Sequence, residues 1–129
     1  MKALCFFFSG LFLLGAAVQG NDPDPAAWIV GYLLGAALSL HAAIGGRAFG
    51  ANATAAIVFA GWFASLAATI PEAPEEAFTS FQMRETSHEE PREAIGLLLL
   101  AGWTGVLAIR SRPVVGEDDR GGAKVRPGR

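Results

Sequence analysis

The chain has 129 residues, of which 52% are hydrophobic and 17% charged, with 16 glycines and a formal net charge of −2. The balance lies on the apolar side of ordinary soluble composition, and with no folded basic face it excludes nucleic-acid binding. The single cysteine, Cys5, excludes an internal disulfide and leaves the redox compartment unreadable.

Distribution says more than totals. Residues 3–18, 26–46, 53–70 and 94–109 contain no Asp, Glu, Lys or Arg. A membrane span needs about 20 predominantly apolar residues, with a range of roughly 17–25. The chain therefore predicts an all-α integral membrane four-helix bundle. Its spans are expected at about 3–19, 26–46, 52–70 and 94–110, making residues 1–110 one transmembrane domain. The first and last spans sit near the lower length limit and reach it if Gln19 and Arg110 snorkel at their ends.

The first span has a second reading. "MKALCFFFSGLFLLGAAVQG" has a basic start, an apolar stretch, and small residues Val18 and Gly20 ahead of Asn21, which is also the pattern of a cleavable signal peptide. Cleavage would leave three spans without changing their orientation.

Next comes the joint "VQGNDPDPAAW", residues 18–28, which places two carboxylates between two apolar runs. Its shortness makes spans one and two antiparallel neighbours. Asn21-Asp22-Pro23 is turn chemistry. Asp24 suits an N-cap, with Pro25 at the first helical position, where its missing N–H costs nothing. Trp28 and Tyr32 are expected near the outer surface, as headgroup-level aromatics.

Span two carries Gly31, Gly35, Ser39 and Ala43 at four-residue spacing, and span three carries Ala56, Ala60, Ala64 and Ala68. Such rows let helix backbones approach closely and can pack within the chain, in a homo-oligomer or against a partner membrane protein. An Ala- and Gly-rich chain also produces rows by chance. "LLGAA" occurs at 13–17 and 33–37 and "AGW" at 60–62 and 101–103, echoes too brief to mark a duplication. His41 is the one ionisable residue well inside a span. Its nearness to Arg47 suits a neutral, hydrogen-bonded histidine at the interface.

The connection "PEAPEEAFTSFQMRETSHEEPRE" has seven glutamates against two arginines, with Phe78 and Phe81 spaced for a short helix on the membrane surface. From Ser111 the sequence is rich in Gly, Pro and charge without apolar period. It is expected to be a disordered cytoplasmic tail, 111–129, whose arginines touch anionic lipid weakly.

Orientation follows from the basic residues. Lys2, Arg47, Arg110, Arg112, Arg120, Lys124, Arg126 and Arg129 fall on one side, eight of the ten, leaving Arg84 and Arg92 opposite. By the positive-inside rule both termini are cytoplasmic and the acidic connections face out.

Several of these stretches together resemble the transmembrane protein 220 family, small multi-span membrane proteins of bacteria and animals. The resemblance rests on "VQGNDPD" (18–24) closing the first span, Trp28 and Tyr32 opening the second, and "HEEPREAIGL" (88–97) leading into the last, with Trp103 beyond. It covers roughly residues 4–109, and Pro91 departs from the pattern just where the last helix begins. What it implies is a multi-pass membrane protein with a retained first span, and no particular reaction.

Both acidic motifs fall on the outer side, where Gln19 and Asn21 join Asp22, Asp24, His88, Glu89, Glu90 and Glu93 at one rim. Oxygen ligands in that number suit calcium or magnesium, and His88 admits zinc. The structural alternative explains Asp22 and Asp24 as turn and cap. It explains Glu89, Glu90 and Glu93 as favourable charge at a helix N-terminus, with Ser87 and Glu90 at capping-box spacing. No metal or cofactor is therefore expected. No HExxH, GxSxG or phosphate-cradling glycine loop is present, and no enzyme is expected. The expectation is a small structural or interaction component of the bacterial cytoplasmic membrane. The alternative is a cation-binding or small-solute transport component using the acidic rim.

Overall fold

A computed structural model describes residues 1–21, 25–71 and 86–113. Four α-helices account for most of them: α1 (Lys2–Val18), α2 (Pro25–Ala43), α3 (Phe49–Leu66) and α4 (Thr86–Arg110). Short 3-10 turns at Gln19–Asn21 and Ala67–Thr69 continue α1 and α3. Among the described residues there is no strand. A chain in lipid must satisfy its backbone polar groups internally, and helices do so within each segment.

α1 packs along α2 and α3 along α4, and the two pairs meet chiefly through α2 and α4. The buried positions follow helical spacing. On α1 they are Cys5, Ser9, Phe12 and Ala16. On α3 they are only Asn52, Ala55 and Phe59, a narrow stripe. α4 buries Leu97, Leu100, Trp103, Thr104 and Leu107, several of them with no more than 1% of their surface exposed. The outward surface is apolar rather than polar, with Phe7, Leu14, Val30, Ile57, Leu98 and Ile109 all exposed. A continuous shell of large apolar side chains is what a bilayer, not water, solvates.

Pro25–Ala43, Phe49–Leu66 and Arg92–Arg110 are long and apolar enough to cross a membrane. α1 is apolar but has 17 residues, about 26 Å at helical rise against a hydrocarbon core of about 30 Å.

α2 begins at Pro25, the expected first helical position. It ends before the apolar run does. The Gly45 N–H bonds the Ala42 carbonyl and the Gly46 N–H bonds the His41 carbonyl, with Gly45 at φ +94°. This pair of bonds is a Schellman cap, which needs a residue that tolerates the left-handed region. α4 runs unbroken through Pro91. Ser87 lies inside that helix, so it is not the N-cap that a Ser87–Glu90 capping box requires.

The aromatic residues of α2 pack against the neighbouring helices. Trp28 is buried against Trp62 of α3, with ring centroids 4.4 Å apart. Tyr32 lies between two glycines on neighbouring helices: a Cβ on Gly15 would sit 2.9 Å from its ring, and one on Gly96 would collide with its hydroxyl. The two residues fill interhelical slots. A ring gains dispersion contacts in a slot, and small residues supply the space.

The small-residue rows also part company. Gly31, Gly35, Ser39 and Ala43 are all buried within the chain. At Gly35 a Cβ would meet Phe12 at 3.1 Å and collide with Leu100, so α1, α2 and α4 converge there. On α3, Ala56 is half-buried while Ala60 and Ala64, and Ala68 in the 3-10 turn that follows, are exposed.

Candidate functional site

Polar groups gather at three levels of this helical assembly. The middle level is closed. The Trp103 indole N–H donates to Ser39 Oγ at 2.8 Å, and the Ser39 hydroxyl donates to the Gly35 carbonyl at 2.7 Å. Ser9 of α1 donates to the Ala36 carbonyl at 3.1 Å, and Thr104 to the Leu100 carbonyl at 2.7 Å. Phe8 stacks on Trp103 at 4.0 Å and 15°, covering the indole face. Each hydroxyl has a partner, so this level fastens helices together and leaves no group over for a ligand.

At the end where α1 finishes and α4 starts its apolar stretch lies a cavity of about 160 Å³. Gly15, Val18, Gln19, Tyr32, Arg92 and Glu93 line it. Here the structure brings together two residues of the expected acidic rim, Gln19 and Glu93, from α1's end and from α4. Gln19 is buried and Glu93 half-buried. Arg92, absent from the expected set, shares the same walls. A guanidinium beside a carboxylate supplies the positive charge that a bound cation would otherwise supply. Asp22 and Asp24 lie outside the described residues. His88, Glu89 and Glu90 stand on the first turns of α4, and their side chains lie outside those described. Among the described residues no group of three His, Cys, Asp or Glu side chains is placed to hold a metal.

His41 is exposed on the last turn of α2, and its imidazole covers Gly46, where a Cβ would collide with the ring. Its backbone carbonyl takes part in the Schellman cap. The position, at the end of the helix, agrees with an interfacial histidine.

The third level, at the opposite end, is a cavity formed where α1 and α3 begin and α2 and α4 finish. Lys2, Arg47 and Arg110, far apart in sequence, line it together. Three of the eight basic residues grouped along the chain thus share one end of the fold. No sequence spacing announces this cavity, because its wall residues come from every helix.

The model of transmembrane family 220 matches residues 11–109, more than half of the chain. The chain belongs to transmembrane family 220. Its match spans all four helices, from the middle of α1 to the penultimate residue of α4. Both stretches that carried the resemblance, residues 18–24 and 88–97, fall within it. No curated protein and no solved structure matches the chain. Family 220 membership together with the apolar exterior makes this a membrane protein with several spans, embedded in a lipid bilayer.

Proposed function

We propose that this member of family 220 is a small structural or interaction component of the bacterial cytoplasmic membrane, and not an enzyme. In this reading α1 is a fourth span and both termini are cytoplasmic. The carrying observation is the outward row on α3. Ala60, Ala64 and Ala68 are exposed at four-residue spacing, and Gly61 beside them has open space where a Cβ would stand. α3 is also the least buried of the three spanning helices, at 17%. Two helices approach closely only where small residues let backbones meet, and lipid tails gain nothing special from such a face. The row therefore suits a transmembrane helix of a neighbouring chain. The eight-to-two division of basic residues supports the orientation. The seating of Cys5, Ser9 and Phe12 in the interior supports a retained α1.

A photo-crosslinking residue at Ala60 in native membranes tests this. Ala60 should capture protein, whether a second copy or another membrane chain, while the same residue at exposed Val30 on α2 should capture lipid. Lipid capture alone at both positions would defeat the interaction reading.

One observation favours the alternative of a cation-binding or solute-transport component: Gln19 and Glu93 share a cavity. Arg92 on the same wall makes it the weaker reading.

A further inference from the structure

We propose that the cavity at the basic end is a binding site for a phosphate group carrying a neighbouring hydroxyl, of the glycerol-phosphate type. Its volume is about 210 Å³, well above the roughly 10–15 Å³ that admits one water. Its chemistry comes from Lys2, Cys5, Arg47, Asn52, Arg110 and Ser111. Three of those are cations, and the lining includes no carboxylate. Nor does any ion pair reach Lys2, Arg47 or Arg110 among the described residues.

The helix ends do not decide the sign of the field there. α1 and α3 present their positive N-termini, and α2 and α4 present their negative C-termini, so the dipoles offset. The side chains decide it. Three like charges beside a low-dielectric interior repel one another, and an anion among them turns that repulsion into attraction. Arginines match phosphate oxygens in a bidentate fork, and lysine adds a point charge.

Asn52 narrows the ligand further. It is 3% exposed and lines the cavity, yet its Oδ1 has no hydrogen-bond partner. Its Nδ2 donates to Ser111 Oγ at 3.4 Å, while the Ser111 hydroxyl donates to the Leu107 carbonyl at 2.6 Å. An orphaned buried acceptor calls for a donor. The surrounding cations call for an anion, and a hydroxyl beside a phosphate meets both demands. Two sources carry that chemistry: the headgroup of phosphatidylglycerol, or a free glycerol phosphate from water.

The test uses the full chain in nanodiscs of phosphatidylcholine, with and without phosphatidylglycerol, read by thermal unfolding and by native mass spectrometry of retained lipid. The expected result is a saturable rise in unfolding temperature and one retained phosphatidylglycerol per chain. Arg47→Gln and Arg110→Gln should each weaken binding at least about tenfold, the loss expected for a charge-assisted hydrogen bond. Arg112→Gln should leave it unchanged, because Arg112 is exposed and outside the cavity lining. Asn52→Ala keeps every charge and should still weaken binding, which covers the case of an arginine variant that does not fold. Glycerol 3-phosphate added to phosphatidylcholine discs separates the sources. An equal shift assigns the site to the soluble compound, and no shift assigns it to the lipid. Loss in Arg112→Gln equal to that in Arg47→Gln would reduce the effect to general surface charge and overturn the site. So would the absence of any response to phosphatidylglycerol, glycerol 3-phosphate and inorganic phosphate alike.

Discussion

Trp103 and Ser39, 64 positions apart, meet at the centre of the fold, where the indole N–H donates to the serine Oγ at 2.8 Å. Ser39 hands its own proton to the Gly35 carbonyl, and Phe8 closes the far side of the indole. One contact thereby ties α2, α4 and α1 together. Ser39→Ala leaves a buried indole N–H without a partner, and Trp103→Phe removes the donor and keeps an aromatic ring. Each should lower stability in detergent by about 1–2 kcal/mol. The double variant should lose clearly less than the sum, since both remove the same bond. Strictly additive losses in chemical unfolding would show that the two residues do not share it.

Gly35 is the crossing where α1, α2 and α4 converge, with Phe12 and Leu100 both in reach of an added Cβ. Gly35→Leu should prevent α1, α2 and α4 from closing together and abolish cooperative unfolding, or lower stability by more than about 3 kcal/mol. Val30→Leu, on the outward face of the same helix at 65% exposure, should stay within about 0.5 kcal/mol. Thermal unfolding of the two purified variants in the same detergent measures the contrast.

Asn52→Ala carries an opposite sign. It removes a buried acceptor with no partner, whose desolvation costs about 1–3 kcal/mol, and a long hydrogen bond worth about 1 kcal/mol or less. In phosphatidylcholine alone the variant should be as stable as the parent or more so by about 1 kcal/mol. A loss above 2 kcal/mol in that medium would show that Asn52 is structurally satisfied.

Topology is checked with reporters. Fusions after Arg47 and after Arg112 should report the cytoplasm and one within residues 75–85 the outside. An outside signal at Arg112 would break the four-span arrangement. Mature protein should retain residues near Met1, since removing α1 would uncover Gly35, Trp103 and Tyr32 together. An N-terminus at Asn21 would establish a cleaved leader.

The acidic joint is expected to be structural. Asp24→Asn should cost little, because asparagine caps about as well as aspartate. Asp22→Asn and Glu89→Gln should have small, additive effects, with no change in unfolding temperature on adding calcium, magnesium or zinc. A saturable, metal-selective rise that vanishes in either single variant would make the joint half of a cation site.

Sequence by itself determined the class of this protein. Four uncharged apolar runs, Pro25 at a helix start and the separation of basic from acidic residues are local facts. A bilayer acts on them locally, by segment length and by charge at segment ends. The stretches at 18–24 and 88–97 likewise marked transmembrane family 220 without reference to any contact. What only tertiary structure decided is which face of each helix meets another. The rows on α2 and α3 are alike in spacing, yet Gly31, Gly35, Ser39 and Ala43 are buried while Ala60, Ala64 and Ala68 face outward. In lipid, apolar residues gain little by turning inward, so hydrophobic periodicity no longer tells inside from outside. Packing decides instead, through steric fit between residues distant in the chain, as when Gly15 and Gly96 make room for Tyr32. For the same reason the basic cavity was invisible: Lys2, Arg47 and Arg110 read as three separate span ends until four helices brought them to one cavity that Asn52 also lines.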